Sequence, residues 1–146
     1  MRATVGKELA KDLPHLFVSM LGLVDAAQAI GDMTEISPQV QSVVVTGADG
    51  SIVGTNLDDD AVAQRFADGA RRLVEAARSF RPDVAQLEAA TTAGSVFVVR
   101  DGDRTIAATT TPEPTVGLVF YDLKTCLRSI DDTETAQPKE GGDAAA

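Results

Sequence analysis

Gln41-Ser-Val-Val-Val-Thr46, Gly47-Ala-Asp-Gly50 and Ser51-Ile-Val-Gly-Thr55 read as strand, turn and returning strand. The β-branched run favours a pleated, packed surface. Asp-Gly supplies the positive φ that a tight hairpin needs. The same device recurs further on. Ser95-Val-Phe-Val-Val-Arg100 reaches a turn at Asp101-Gly102-Asp103 and returns as Arg104-Thr-Ile-Ala-Ala-Thr-Thr110. Two hairpins imply an antiparallel sheet. Residues 84–92 are compatible with a further strand, although Leu87-Glu-Ala-Ala also suits a helix.

Helices fill the remaining stretches. Leu9, Leu13, Leu16, Phe17, Met20, Leu21, Val24, Ala27 and Ile30 recur at helical spacing. Asp12 is a candidate cap, with Pro14 tolerated in the first turn. This helix ends at Gly31 or runs on towards Ile36, and Ser37-Pro38 stops it. Pro112-Glu-Pro114 breaks the sheet. Thr115 then caps a last helix with Val116, Val119, Phe120, Leu123, Leu127 and Ile130 on its inner stripe. The fold class is therefore α/β (α+β), a sheet flanked by helices. Residues 1–12 are expected to be a flexible N-terminus, 13–130 the domain with an extended N-terminal helix, and 131–146 a disordered acidic tail.

The helix at 60–80 follows Asn56-Leu-Asp-Asp-Asp60, which supplies capping carboxylates. Stepping about 100° per residue puts Val62, Phe66, Gly69, Leu73, Ala76 and Phe80 on one narrow stripe. Ala63, Ala67, Ala70, Val74 and Ala77 widen it to about half the cylinder. A sheet face needs an arc of only ~100°, so a second surface is implied. Ala63, Ala67, Ala70, Val74 and Ala77 are the candidate dimer interface, because small side chains let helices approach closely. Cover by the first or last helix of the same chain is the alternative. Arg65, Arg71, Arg72 and Arg78 on the polar half are candidate partner-binding residues. The alternative for them is a solvated face with internal acidic partners.

Composition narrows the function. Hydrophobic residues make up 44% of the 146, enough for a core, but aromatics are only 4% and Trp is absent. The formal net charge of -9 repels phosphate backbones and anionic membranes, which argues against nucleic acid. The single cysteine forbids an internal disulfide and fits a reducing compartment. No apolar run approaches the ~20 residues of a membrane span. A cytoplasmic location is expected, without membrane insertion.

Catalytic chemistry is hard to assemble from these residues. His15 is the only histidine, so any nucleophile–base pair would have to use it. One Cys and one His do not make a zinc site. Gly47-Ala-Asp-Gly50 lacks the Gly-Lys-Ser/Thr ending of a phosphate loop and leads into a strand. Asp58-Asp-Asp60 lacks the alternation of a calcium loop and suits helix capping. Thr109-Thr-Thr111 suits a strand edge, and Cys126 a packing position. No cofactor and no enzymatic activity are expected.

Three stretches in order resemble the roadblock/LC7 family: Val40-Gln-Ser-Val-Val-Val-Thr-Gly-Ala-Asp-Gly-Ser-Ile-Val53, the Ala-rich helix 60–80, and Pro114-Thr-Val-Gly-Leu-Val-Phe-Tyr-Asp-Leu123. The likeness spans about residues 23–130. The region 15–36 departs from it in offering a longer apolar helix. The resemblance implies a profilin-like, five-stranded antiparallel sheet, and so makes 84–92 a strand. It also implies a homodimer that acts as adaptor or regulator beside a small Ras-like GTPase. The competing reading is a small-ligand sensory domain of profilin/PAS-like shape. Such a pocket usually has aromatic walls, and five Phe and one Tyr favour it less.

Overall fold

The computed structural model describes the backbone of residues 15–145 and the side chains of residues 26–130. Helix α1 (His15–Ile36) precedes the first hairpin, β1 (Val40–Thr46) and β2 (Ile52–Thr55). Helix α2 (Asp60–Arg78) follows. Strands β3 (Gln86–Thr91), β4 (Gly94–Asp101) and β5 (Arg104–Thr110) form a meander, and helix α3 (Val116–Ala145) ends the chain. The five strands make one antiparallel sheet in the order β2-β1-β5-β4-β3. Residues 84–92 thus do contain a strand. The expected flexible N-terminus, residues 1–12, lies outside the described residues.

The central strands bury both faces. Val43, Val45, Phe97, Val99, Ile106 and Ala108 point to one side, where Ala26, Ile30 and Met33 of α1 and Val119, Leu123, Cys126, Leu127 and Ile130 of α3 cover them. Phe97 meets Phe120 edge to face at a centroid distance of 4.9 Å, a favoured aromatic geometry. Val44, Val98 and Ala107 point to the other side, under α2. Period-2 alternation within Val43-Val44-Val45 therefore feeds two cores at once.

Side chains complete the ladder where it is irregular. The register of β1 against β2 shifts between Val45 and Thr46. Beyond the end of β2, the Asn56 side chain accepts from the Val43 amide and donates to the Gln41 carbonyl, both at 2.8 Å. Gly54 lies under α1, where a Cβ would come 3.1 Å from the Ala26 Cβ, so the helix approaches closely because that position carries no side chain. Thr109 Oγ1 accepts from the Ser42 amide, and Thr110 Oγ1 accepts from the Ser95 amide. The threonine run is a strand-edge feature, as its composition suggested.

The backbone of α3 is helical to Ala145, past Ile130, the last residue of its inner stripe.

Gly94 opens β4 at φ +141, and a Cβ there would overlap the Thr110 carbonyl oxygen. Gly94→Ala should lower stability by about 3 kcal/mol. Gly31→Ala, in a helix with open space around it, should raise stability by about 0.5–1 kcal/mol. Denaturant unfolding followed by circular dichroism checks both signs.

Candidate functional site

Helix α2 is the only helix on its face of the sheet among the described residues, so its orientation decides which side chains a partner meets. Asp59 caps it, its carboxylate accepting from the Ala61 and Val62 amides. Within the carboxylate run 58–60, Asp59 is the residue that caps the helix. Among the described residues no group of acidic, His or Cys side chains has the arrangement of a metal site.

The stripe that packs on the sheet is the alanine one. Ala63, Ala67, Ala70 and Val74 are buried against Val44, Val98 and Ala107, and Ala77 is half-buried. Four of the five residues of the candidate dimer interface are thus covered within one chain. Small side chains do permit close approach here, but the surface approached is the sheet. The larger stripe lies about 100° round the cylinder. Along it Val62, Leu73 and Phe80 are exposed, Phe80 by 79%, while Phe66 and Gly69 are half-buried and Ala76 is exposed. The surface in need of cover is therefore Val62, Phe66, Leu73 and Phe80. Beside this layer β3 forms one edge of the sheet, hydrogen-bonded only to β4.

The four candidate arginines are all exposed, but they form two pairs. Residues seven apart nearly coincide in azimuth, and adjacent residues differ by about 100°. Arg65 and Arg72 share the outward face next to the apolar stripe. Arg71 and Arg78 share the opposite flank. Arg71 makes a 3.5 Å exposed ion pair with Asp68, a contact of little energetic weight. Arg78 Nε donates to the Pro82 carbonyl at 3.3 Å.

Arg71 and Arg78 border a cleft of about 180 Å3 between α2 and the sheet. Its floor is Val44, Ala67, Ala70, Val74 and Ala107, and its far wall is the β1–β2 turn with Arg100, Asp103 and Thr105. Sequence reasoning did not single out Arg100. The available signal was its place in β4, two and four residues after Val98 and Val96, which puts it on the α2 side of the sheet.

The remaining candidates are structural. Gly47–Gly50 is a closed turn: the Gly50 amide donates to the Gly47 carbonyl, and Asp49 Oδ1 accepts from the Ser51 amide and hydroxyl. Those bonds, the hydroxyl's first, hold the Asp49 carboxyl below its ordinary value. His15 opens α1, and its side chain lies outside the described residues. Cys126 is buried in the core of α3. Burial, assisted by the Asp32 carboxylate, pushes its thiol up to about 11. No helix among the described residues is long and apolar enough to cross a membrane.

No protein-family model matches this sequence. No curated protein matches it either. Solved structures do match in fold. A roadblock/LC7 domain from Streptomyces avermitilis aligns over 72% of this chain and 93% of its own, at TM-score 0.65 and 19% identity. MglB from Myxococcus xanthus aligns over 79% of this chain and 91% of its own, at TM-score 0.63 and 11% identity. An MglB with a tetrameric arrangement aligns over 80% and 92%, at TM-score 0.62 and 9% identity. The chain has the roadblock/LC7 fold.

The thiolate is the reactive form of cysteine, and Cys126 stays protonated well above neutrality. At pH 8 a disulfide reagent such as dithionitrobenzoate should therefore leave the native protein unmodified over an hour and titrate one thiol per chain in guanidinium. Rapid modification of the native chain would contradict the packing of α3.

Proposed function

We propose that this protein is a non-enzymatic, homodimeric adaptor or regulator that binds a small Ras-like GTPase. The observation that carries the reading is the apolar stripe Val62, Phe66, Leu73 and Phe80, left uncovered on the outer helix of a roadblock/LC7 fold. Such a stripe, exposed beside the arginine-bearing polar arc of the helix, marks an interaction surface. A second copy is its proposed occupant. The free edge of β3 beside it offers unpaired backbone groups to a partner strand. Self-association of an MglB of the same fold, in its tetrameric arrangement, supports this reading.

The GTPase is proposed from the family resemblance. Arg65 and Arg72 would meet it, since they project outward and have no ion-pair partner among the described residues. A guanidinium fork pairs bidentately with carboxylates, which suits docking to an acidic rim. The absence of a phosphate-loop motif in the sequence is compatible with a protein that regulates a nucleotide-binding partner.

Leu73→Glu should give a folded monomer, whereas the wild type should run as a dimer in light scattering at ~100 µM, as a dimer of micromolar or tighter affinity must. Ala70→Glu, which places a carboxylate against the sheet, should instead cost several kcal/mol and unfold much of the protein. A dimeric Leu73→Glu variant would refute the assigned surface.

The double change Arg65→Glu and Arg72→Glu should leave the dimer intact. It should weaken binding to a Ras-like GTPase of the same host about 30-fold, the equivalent of ~2 kcal/mol. Calorimetry with the GTPase in each nucleotide state measures this. If no such GTPase binds the wild type in either state, the adaptor reading fails.

A further inference from the structure

We propose that the cleft beneath α2 is a binding site for a small hydroxylated phosphate monoester. Three arginines from two elements line one opening of about 180 Å3: Arg71 and Arg78 from the helix, and Arg100 from β4. Arg78 gives Nε to the Pro82 carbonyl, but neither it nor Arg100 has a carboxylate partner within ion-pair distance among the described residues, and the ion pair of Arg71 points along its own helix to Asp68. Glu75 and Asp103 also line the cleft, yet neither closes a salt bridge with these arginines. Cations and carboxylates placed round one opening without neutralising each other leave both kinds of group for a ligand.

The chemistry of the wall defines the ligand class. Arginine forks match the geometry of a phosphate dianion. Glu75 and Asp103 are acceptors, which a hydroxyl satisfies and a second anion would not. Thr46 and Thr105 add hydroxyls at the sheet end. The floor of Val44, Val74 and three alanines suits the carbon chain of a polyol. The volume is below the ~300 Å3 at which most ligand pockets begin, so the ligand is closer in size to a triose or tetrose phosphate than to a nucleotide.

The site is independent of the proposed adaptor surface. It lies on the flank of α2 away from Val62, Phe66, Leu73 and Phe80, and it uses neither Arg65 nor Arg72. Titration of the full chain with glycerol 3-phosphate, followed by amide chemical shifts, should move Thr46, Gly47, Gly50 and Thr105 together and saturate near or below ~1 mM. Arg100→Gln should weaken this binding at least tenfold with an unchanged fold. Arg78→Gln should do the same, and serves if the strand position proves sensitive. Arg65→Glu with Arg72→Glu should bind glycerol 3-phosphate as the wild type does. Inorganic phosphate and malate should each bind at least tenfold more weakly. Equal binding of inorganic phosphate would overturn the role of the hydroxylated body, and equal binding of malate would overturn the preference for phosphate. Shifts scattered outside the cleft, or no saturation by 10-fold above that concentration, would overturn the site itself, whether or not a GTPase binds.

Discussion

A sheet that is apolar on both faces must be covered on both faces, and the rest of this structure follows from how that is done. Val43-Val44-Val45, Phe97-Val98-Val99 and Ile106-Ala107-Ala108 leave no polar side to the middle strands. One face receives two helices, α1 and α3, which also pack on each other. The other receives α2 alone. A single helix is too narrow to cover five strands. It leaves an uncovered edge at β3 and a cleft at the ends of β1, β4 and β5, and both candidate surfaces arise there.

Helix α2 accommodates this by dividing its circumference. Its smallest side chains go against the sheet, where they allow close packing and where a carboxylate could not be accommodated. Its larger apolar side chains are carried about 100° away, only partly sheltered. The arginines take the remaining arc in two pairs. Each arc has a different physical character, so the exposed apolar stripe, the outward cationic face and the cleft can be altered separately by substitution. Alanine at the sheet contact is what makes this division possible. A larger residue at Ala63, Ala67 or Ala70 would push the helix outward and move all three surfaces together.

The polar groups of the sheet are handled locally. Asn56 extends the β1 ladder, Thr110 accepts from Ser95, and Asp59 caps α2. These contacts use residue types that in isolation suggest sites: a run of aspartates, a run of threonines, a glycine turn. Asp59, Asp49, Thr109 and Thr110 each accept from a backbone amide. Among the described residues the side chains of Arg65, Arg72 and Arg100 make no such bond, whereas Arg71 pairs with Asp68 and Arg78 gives Nε to the Pro82 carbonyl.

Local sequence determined the elements themselves. Asp-Gly turns between β-branched runs have few other backbone solutions, and a 3.6-residue apolar period over 60–80 has only one. The strand at Gln86–Thr91 was not decided locally, because Leu87-Glu-Ala-Ala suits either state until β4 offers it a ladder. Nor was the rotation of α2. Both of its stripes, Ala63-Ala67-Ala70-Val74 and Val62-Phe66-Leu73-Phe80, have helical spacing, and periodicity carries no information about which stripe faces inward. That depends on the depth of the surface opposite: Val44, Val98 and Ala107 stand on a sheet that admits a helix only at alanine distance. The cleft was beyond sequence reading for the same kind of reason. Arg71, Arg78 and Arg100 come from elements separated by the whole of β3, and only packing α2 across the sheet brings them to one opening.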